Sequence, residues 1–191
     1  EDSNSVGGNT GWQPIYFCLK VDDKITAVVP SFIKYHSQGE FVFDHSWAQA
    51  YQSLGLNYYP KLLIASPFSP VTGKRILVTQ NINALIKKKL FDFIKDFCKE
   101  KKISSIHINF FEEHELDFLK NEGFLIRYGE QFHFTNNNYN TFEDFLNKLS
   151  YKIRKSINKE RQSIKHQGID IEIIKNEKFN KNLSEIMYQF Y

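Results

Sequence analysis

The stretch "NALIKKKLFDFIKDFCKEK", from Asn83 to Lys101, constrains the fold more than any other part of the sequence. Apolar residues recur in it at helical spacing, while lysines occupy the other positions. This pattern predicts an amphipathic helix. The residues that share its apolar face are Leu85, Ile86, Leu90, Phe93, Ile94 and Phe97.

Short apolar runs, "RILVT" and "SSIHINF", flank this helix and have the composition of strands. A connection of this length can cross over between two parallel strands of one sheet. We therefore expect the two runs to be parallel neighbours, splayed at one end beside a cleft. We expect the face formed by Leu85, Phe93 and Phe97 to pack on that sheet.

The N-terminal part of the chain predicts a hairpin, because "PIYFCLK" and "ITAVVPSFIKY" are strand-like and "VDDK" between them is typical of a turn. Pro30 indicates a sheet edge or a bulge within the second strand. "GEFVFD" is predicted to be a third strand, and "KLLIASP" a further one. Between them, Ser46 is expected to cap a helix that Gly55 ends.

Downstream, "EEHELDFLKNEG" predicts a helix with acidic residues in its first turn and Gly123 as its stop. "FLIRYGEQFHFTN" predicts a long strand or a bent pair. Strands followed by helix, strand, helix and strand indicate a mixed α/β layer fold, with helices on the faces of a mixed sheet.

The C-terminal part begins with a basic helix, in which Leu146, Leu149, Ile153, Ile157 and Ile164 recur at helical spacing. Gly168 ends it, and "IDIEIIK" predicts a new strand before a further helix. We expect a first domain over residues 1–145, a connecting helix over 146–168 and the start of a second domain over 169–191. Because the sequence opens without methionine and stops inside a helical pattern, we expect it to be a piece of a longer protein.

Composition excludes several classes of protein. The chain has 191 residues, of which 41% are hydrophobic, which is enough for a core. A net charge of +3 implies no obligate nucleic-acid partner, and no apolar run approaches the ~20 residues that span a bilayer. Cys18 and Cys98 lie in apolar patterns, which predicts buried thiols in the reducing cytoplasm. No set of His, Cys and acidic residues has metal-ligand spacing, so no metal is expected.

Several segments together carry a resemblance to a known family: "GEFVFDHSWAQAYQSLGLNYYPKLLIASPFSPVTGKRIL", "SSIHINF", "EGFLIRYGEQFHFTNNNY" and "FEDFLNKLSYKIRKSINKERQSI". The sequence resembles the FemAB-like group of N-acyltransferases in the GNAT (acyl-CoA N-acyltransferase) superfamily. The resemblance implies a GNAT-like, mostly antiparallel mixed sheet with helices on both faces. It also implies a basic connecting helix and the beginning of a second GNAT-like unit.

The resemblance further implies transfer of an acyl or aminoacyl group to an amine, with acyl-CoA or aminoacyl-tRNA as donor. Relatives in the Fem branch transfer aminoacyl groups to a peptidoglycan precursor. Two positions depart from the GNAT pattern. "VTQNINAL" lacks the glycines of the usual pyrophosphate-binding turn, and Leu119 stands where a tyrosine often protonates the leaving thiolate. The alternative is therefore a non-catalytic binding module for a polyanion such as tRNA, or for a protein partner.

The candidate general base is His45, with Asp44 orienting it or the substrate amine, because the pair follows a predicted strand and precedes a helix. The alternative is a helix cap beside a surface histidine. His107 lies in a predicted strand and faces either the core or the cleft. Gln131 and His133 alternate along one predicted strand and either line the cleft or form a half-exposed polar face.

The loop in "YYPKLLIASPFSPVTGKR" is the candidate donor site. Thr72, Lys74 and Arg75 offer hydrogen-bond donors for a carboxylate, phosphate or pyrophosphate, and Gly73 permits a positive φ. The alternative is a turn whose exposed cations are merely solvated. Tyr58 and Tyr59 are expected to form a wall of the pocket or to belong to the core and its rim.

The basic helix also has two interpretations, a solvated outer face or a contact for the phosphates of tRNA or another polyanion. Only Tyr151 offers an aromatic ring among the cations, so reading of bases is not expected. The candidate contact residues are Lys152, Arg154, Lys155, Lys159 and Arg161.

Overall fold

A computed structural model describes residues 2–79 and 83–190. It contains two compact units, Glu1–Tyr128 and Gly129–Tyr191, which we call unit 1 and unit 2. Compactness does not test where one domain of the family ends and the next begins. The division at residues 145 and 168 therefore stays a prediction.

Among its described residues, unit 1 contains a five-stranded mixed sheet and three α-helices, so the predicted α/β class and mostly antiparallel sheet are confirmed. The strands are β1 (Trp12–Val21), β2 (Lys24–Lys34), β3 (Lys61–Ile64), β4 (Leu77–Val78) and β5 (Ile106–Ile108). The helices are α1 (His45–Ser53), α2 (Ala84–Glu100) and α3 (Leu116–Asn121), with a 3₁₀ turn at Glu113–Glu115 directly before α3.

The predicted hairpin is confirmed: β1 and β2 pair antiparallel, and the turn residues Asp22 and Asp23 both have positive φ. Strand order is β1-β2-β3-β5, with β4 paired to β2. The expectation that "RILVT" and "SSIHINF" are parallel neighbours is wrong, because β5 pairs parallel with β3 instead. A parallel bridge joins Gly73 and Phe111, which lie just outside the two segments.

Pro30 meets the expectation of an edge only locally, because among the described residues it lies in a stretch of β2 that pairs on one side alone, and it is not at the bulge. Pro30 lies opposite Tyr16, and the register shift of the hairpin occurs at Leu19/Lys20. A proline has no N–H to donate. It is tolerated here because β3 and β4 pair with β2 on either side of this position rather than at it.

The two faces of the sheet carry different cores. On one face, the buried residues Phe17, Val29 and Leu62 pack with Phe91 and Ile94 of α2. The predicted helix is confirmed, and Phe97 packs against this core as expected, with its ring centre 5.3 Å from that of Phe17. Leu85 and Phe93 are mostly exposed, contrary to the expectation for them, and the residues of α2 that are buried are Leu90, Phe91, Ile94 and Cys98.

The second face carries a smaller apolar cluster of Trp12, Phe32, Leu63 and Ala65. Side chains alternate between the faces of a strand, so the odd-numbered residues of β3 reach this face. Lys61 and Leu63 share it, and their partners in β2 are Lys34 and Phe32. An apolar face therefore ends in two lysines.

The segment "GEFVFD" is not a strand, contrary to expectation. It is an irregular connection in which Phe41 has positive φ and the acidic side chains of Glu40 and Asp44 turn inward. Asp44, not Ser46, is the N-cap residue of α1, and its side chain makes no capping hydrogen bond. Gly55 follows the helix with a φ of +70°, as a left-handed stop requires.

Unit 2 consists of α4 (Phe142–Leu146), α5 (Tyr151–His166) and α6 (Lys181–Phe190), with a 3₁₀ turn at Asn176–Lys178. The predicted basic helix is thus shorter than residues 146–168, although Gly168 does follow it with positive φ. Residues 124–136 and 169–175 were expected to be strands and are irregular. A strand is stable only when another strand pairs with it, and neither segment is in the described ladders.

The two cysteines differ. Cys98 is buried and burial raises the pKa of its thiol to about 11, whereas Cys18 is exposed, contrary to the expectation for it. No helix in the described part of the chain is long and apolar enough to cross a membrane.

Candidate functional site

Strand β2 changes its partner halfway along one side. Its residues Phe32–Lys34 pair with β3, and its residues Ala27 and Val28 pair with β4. Residues 29–31 consequently have no ladder partner on that side among the described residues. The sheet opens there, and a cavity lies over the opening.

This cavity, the sheet-gap pocket, has a volume of about 390 Å³. Its walls come from β1, β2, the residues that follow β3 and the residues that precede β4. Most of the lining is apolar, and both charged members are cations. The lining residues are Val6, Tyr16, Pro30, Phe32, Ala65, Ser66, Pro67, Lys74 and Arg75.

Arg75 is buried and only 9% exposed, which is contrary to the alternative of a turn with solvated cations. Its Nε donates to the Asn109 carbonyl oxygen over 2.7 Å and its Nη2 to the Val71 carbonyl oxygen, also over 2.7 Å. Burial lowers the pKa of the guanidinium, while Glu115 and Glu112 oppose that effect. These hydrogen bonds end on neutral carbonyl groups, so they leave the positive charge of Arg75 beside the pocket.

Glu115 holds the backbone of this segment in place. Its buried carboxylate accepts the backbone N–H of Arg75 at 3.2 Å and that of Ile76 at 3.0 Å. The same carboxylate accepts the N–H of Glu112 in a capping box at the start of the 3₁₀ turn. The residues before β4 are therefore fixed to those that precede α3.

The rest of the predicted anion-binding loop is more open. Lys74 and Thr72 are exposed, and Lys74 lines the pocket. Gly73 donates its N–H to the Phe110 carbonyl oxygen and does not have the positive φ that was expected of it. A Cβ at Gly73 would lie 3.3 Å from Nη1 of Arg75, so the glycine leaves room for the guanidinium.

A second polar centre, the buried charge cluster, lies at the other end of the same sheet face and consists of Lys34, Lys61, Glu40 and Asp44. The Lys61 ammonium donates to Asp44 at 2.6 Å, to Glu40 at 2.9 Å and to the Ser37 hydroxyl at 2.9 Å. All three of its hydrogen atoms have acceptors. A buried ammonium group requires a hydrogen-bond acceptor for each of its three N–H donors, because water cannot supply one.

Lys34 has fewer partners than Lys61. Its ammonium donates to the Gln38 carbonyl oxygen at 3.1 Å, lies 3.9 Å from Glu40 and sits 3.4 Å from the centre of the Trp12 ring. Burial, opposed by the charge of Glu40 and reinforced by that of Lys61, lowers the pKa of Lys34 to about 7. Burial also raises the pKa of Glu40.

Within this cluster, Oδ2 of Asp44 accepts hydrogen bonds, whereas its buried Oδ1 has no hydrogen-bond partner among the described residues. Burial alone would raise its pKa, but hydrogen bonds, led by the one from Lys61, hold the pKa at about 2. The Tyr58 hydroxyl also donates to Asp44, at 2.6 Å, and burial followed by this contact raises the pKa of Tyr58. His45 is exposed, so the carboxylate and the imidazole of the predicted pair point to different environments. Asp44 does not orient His45 in this structure.

Comparison with known proteins adds one decisive finding. A family model described as peptidoglycan biosynthesis/recognition matches the chain over residues 1–191. The chain belongs to the FemAB-like family. No curated protein and no solved structure matches it.

In this FemAB-like chain, the other predicted cleft residues of unit 1 adjoin the buried charge cluster rather than the sheet-gap pocket. Tyr58 is buried, and its ring meets those of Tyr59 and His107 edge-on at 5.1 Å and 5.9 Å. Tyr59 shares a hydrogen bond with the Ser37 hydroxyl. Burial and the charge of Lys61 lower the pKa of His107 to about 4, which keeps its imidazole neutral at pH 7.

Gln131 and His133 belong to unit 2, where they are exposed. The structure has no strand at these positions, so the reason for placing them on one cleft face is wrong. They nevertheless contact each other, through His133 Nε2 and Gln131 Oε1 at 3.1 Å. Their role as cleft residues stays a prediction.

The predicted polyanion contacts lie on α5. Most of them are exposed, and Arg154 is half-buried. Arg161 stacks over the ring of Phe142 at 4.5 Å. The exposed members are Lys152, Lys155, Lys159 and Arg161.

Two further observations concern metal binding and the segment in place of the usual pyrophosphate-binding turn. Within the described residues, no group of three or more His, Cys, Asp and Glu side chains could hold a metal ion. The glycine-free segment "VTQNINAL" falls partly on residues 80–82, which lie outside the described residues.

Sequence reasoning missed Lys34, Lys61, Glu40 and Glu115. A signal for the lysines was present, because each ends or begins an apolar strand segment, "SFIK" and "KLLI". Charged residues within apolar runs are rarely buried unless they are paired. The partners, however, come from an irregular segment that the sequence pattern assigned to a strand.

Proposed function

We propose that the chain is part of an acyltransferase of peptidoglycan precursor metabolism, which transfers an acyl or aminoacyl group to an amine. Membership of the FemAB-like family supports the metabolic setting. The sheet-gap pocket supports the binding of an anionic substrate, because both charged residues in its lining are cations. The two cations in this lining are the observation that carries the proposal.

The pocket fits a ligand with an anionic end and an apolar or neutral remainder. Lys74 offers three N–H donors on a flexible, exposed side chain. Arg75 supplies a fixed positive charge that the backbone carbonyls of Val71 and Asn109 hold in place. A carboxylate or phosphate of the donor, acyl-CoA or aminoacyl-tRNA, is the group we assign to Lys74, with Thr72 and Gly73 beside it.

Acyl transfer to an amine also needs a base, because the attacking nitrogen must lose a proton. We assign that role to His45, which is exposed at the first residue of α1, and we do not assign the buried Asp44 to orient it. His45→Ala should lower turnover at least ~100-fold, the low end for loss of a general base. His114→Ala, another exposed histidine in unit 1, serves as the control. Unchanged turnover of His45→Ala between pH 6 and 9 would remove His45 from the mechanism.

The binding test uses the full-length protein and thermal shifts with three sets of ligands: acyl-CoAs, aminoacyl-tRNA and soluble peptidoglycan precursors. A ligand that binds the folded state raises the melting temperature. Lys74→Ala should weaken binding of the active ligand about 10-fold, the value for one hydrogen bond to a charged group. Lys24→Ala, an exposed lysine of β2, should not. Equal ligand affinity of the two variants would show that the ligand does not bind at Lys74 in the sheet-gap pocket.

A second candidate function is recognition without catalysis. It is favoured by the engagement of Asp44 with Lys61 and Tyr58, which leaves His45 without the carboxylate partner that was expected. This candidate predicts that the same ligands stabilise the protein while no acyl product forms. A product assay run alongside the thermal shifts distinguishes the two functions.

A further inference from the structure

Unit 2 contains a pocket of its own, built almost entirely from aromatic rings. Its volume is about 440 Å³. We call it the aromatic pocket. It lies between the irregular segment that precedes α4 and the helix itself. The residues that line it are Phe134, Asn136, Tyr139, Thr141, Phe142 and Phe145.

Phe145 is the centre of the ring arrangement. Phe134 and Tyr139 meet it edge-on, with ring centres 5.7 Å and 5.8 Å away, and Phe142 meets it at a tilt at 5.8 Å. Phe134 remains 72% exposed and Phe142 44% exposed. Both rings therefore retain free surface toward a planar ligand.

Local hydrogen bonds fix the polar part of the rim. The Asn136 amide accepts the Tyr139 N–H at 2.8 Å and donates to the Tyr139 carbonyl oxygen at 3.3 Å. Thr141 and Asp144 form a capping box at the start of α4. The segment that carries Phe134 and Tyr139 is thus held to the helix that carries Phe142 and Phe145.

Positive charge adjoins the rings. The Arg161 guanidinium stacks on Phe142 with its carbon 4.5 Å from the ring centre. Arg161 belongs to α5, which carries six Lys and Arg residues against one Glu. An aromatic lining beside a dense cationic helix matches a ligand that joins a planar ring to an anion.

We propose that the aromatic pocket binds a nucleotide, with the base stacked on the exposed ring of Phe134 and the phosphate at Arg161. Stacking on an aromatic ring tolerates every base, and arginine adds a cation–π contribution. A purely apolar ligand or peptide would leave the cations of α5 unused. This site does not depend on the reaction proposed for unit 1.

Two sources share this chemistry, a free nucleotide and a single-stranded nucleic acid. The test measures fluorescence anisotropy of a labelled single-stranded oligonucleotide with the full chain, and repeats it with a duplex of the same sequence. AMP and UMP are then added as competitors. We expect the single strand to bind more tightly than the duplex, because only unpaired bases offer a free face. If a mononucleotide displaces the labelled oligonucleotide at a concentration at which inorganic phosphate does not, a free nucleotide is identified as the ligand.

The variants separate stacking from general charge. Phe134→Leu removes an exposed ring but keeps an apolar side chain, and should weaken single-strand binding about 5- to 150-fold. Arg161→Gln should weaken it too and reduce the slope of log K against log salt by about 1. Lys175→Gln, an exposed lysine of the same unit, is the control for charge and should change the affinity less than Arg161→Gln.

Three results would overturn the proposal. One is equal affinity for the single strand and the duplex, combined with no effect of Phe134→Leu, since α5 would then act by charge alone. Another is equal loss of affinity in Arg161→Gln and Lys175→Gln. The third is the absence of binding by any oligonucleotide or mononucleotide at low salt. Circular dichroism of each variant confirms that it retains the helices of the parent chain.

Discussion

Lys61 and Arg75 are both buried cations at the rim of the same sheet, yet their surroundings differ. Lys61 donates to the carboxylates of Glu40 and Asp44, so its charge is matched. Arg75 donates to the carbonyl oxygens of Val71 and Asn109, and the nearby carboxylates of Glu115 and Glu112 act on its charge without accepting a hydrogen bond from its guanidinium. The first arrangement fixes the fold, and the second places a cation in the lining of the sheet-gap pocket.

The two centres also differ in access. The side chains of Lys61, Glu40 and Asp44 are almost completely shielded from water. The sheet-gap pocket, in contrast, has Lys74 exposed at its edge. This contrast predicts different roles for two lysines of unit 1. Lys61 should affect stability, and Lys74 should affect ligand binding.

The largest expected effect is that of Lys61→Met. The change leaves two buried carboxylates without their main donor, and breaking a buried pair in this way is destabilising by about 3–5 kcal/mol. Urea denaturation of the variant and of Lys24→Met, whose lysine is exposed, measures the difference. A loss below about 1 kcal/mol would contradict the view that the cluster fixes the fold.

Arg75→Met should have the next largest effect. The substitution leaves the carbonyl oxygens of Val71 and Asn109 without their donor, at about 1.5–3 kcal/mol for a hydrogen bond that involves a charged group. It should also weaken anion binding in the sheet-gap pocket. Loss of stability with unchanged affinity for the anion would show that Arg75 is structural only. Arg75 and Lys61 would then have the same role.

The pH dependence of stability tests the poorer pairing of Lys34. Its pKa is about 7 in the folded protein against an ordinary value of 10.5, so between these values the unfolded chain binds more protons. The contribution of Lys34 to the free energy of unfolding therefore rises with pH in this window, by up to about 1.4 kcal/mol per pH unit. Denaturation of the parent and of Lys34→Met between pH 7.5 and 9 measures this difference. Parallel pH profiles of the two proteins would contradict it.

Asp44 gives the corresponding prediction in acid. Its folded-state pKa of about 2 lies below the ordinary 3.8, so its contribution to stability is present above 3.8 and is lost as pH falls through about 2. Asp44→Asn should be less stable than the parent at pH 6, with a smaller difference at pH 2.5. A constant difference across this range would show that the carboxylate charge does not contribute.

Lys74→Ala should have the smallest effect on stability, within about 0.5 kcal/mol, because the side chain is exposed and surface charges contribute little to folding. Its effect should appear in ligand affinity instead. A variant that unfolds more readily without losing affinity would reverse the roles assigned to the two ends of the sheet face.

Much of the fold could be predicted from local sequence patterns. The hairpin of β1 and β2, the helix α2 and the stops at Gly55, Gly123 and Gly168 all agree with the structure. These features depend on residues that are close in the sequence, where apolar spacing and glycine conformation act directly.

The candidate site was less predictable. The sequence pointed to the loop that contains Lys74 and Arg75, and the structure places both residues at a pocket. It did not reveal that Arg75 is buried, because its partners at Asn109 and Glu115 are more than 30 residues away. The expected strands at 124–136 and 169–175 failed for a related reason, since an alternating pattern cannot supply the neighbouring strand.

The sequence by itself determined the family, the α/β class and the helices that have an apolar face. It also fixed the positions where charges interrupt apolar runs, Lys34 and Lys61 among them. Only the tertiary structure decided which charges are matched. Pairing a cation with a carboxylate or with a carbonyl oxygen depends on contacts between distant segments, and local patterns carry no information about them. For that reason Lys61 and Arg75 look alike in the sequence and differ in the folded protein.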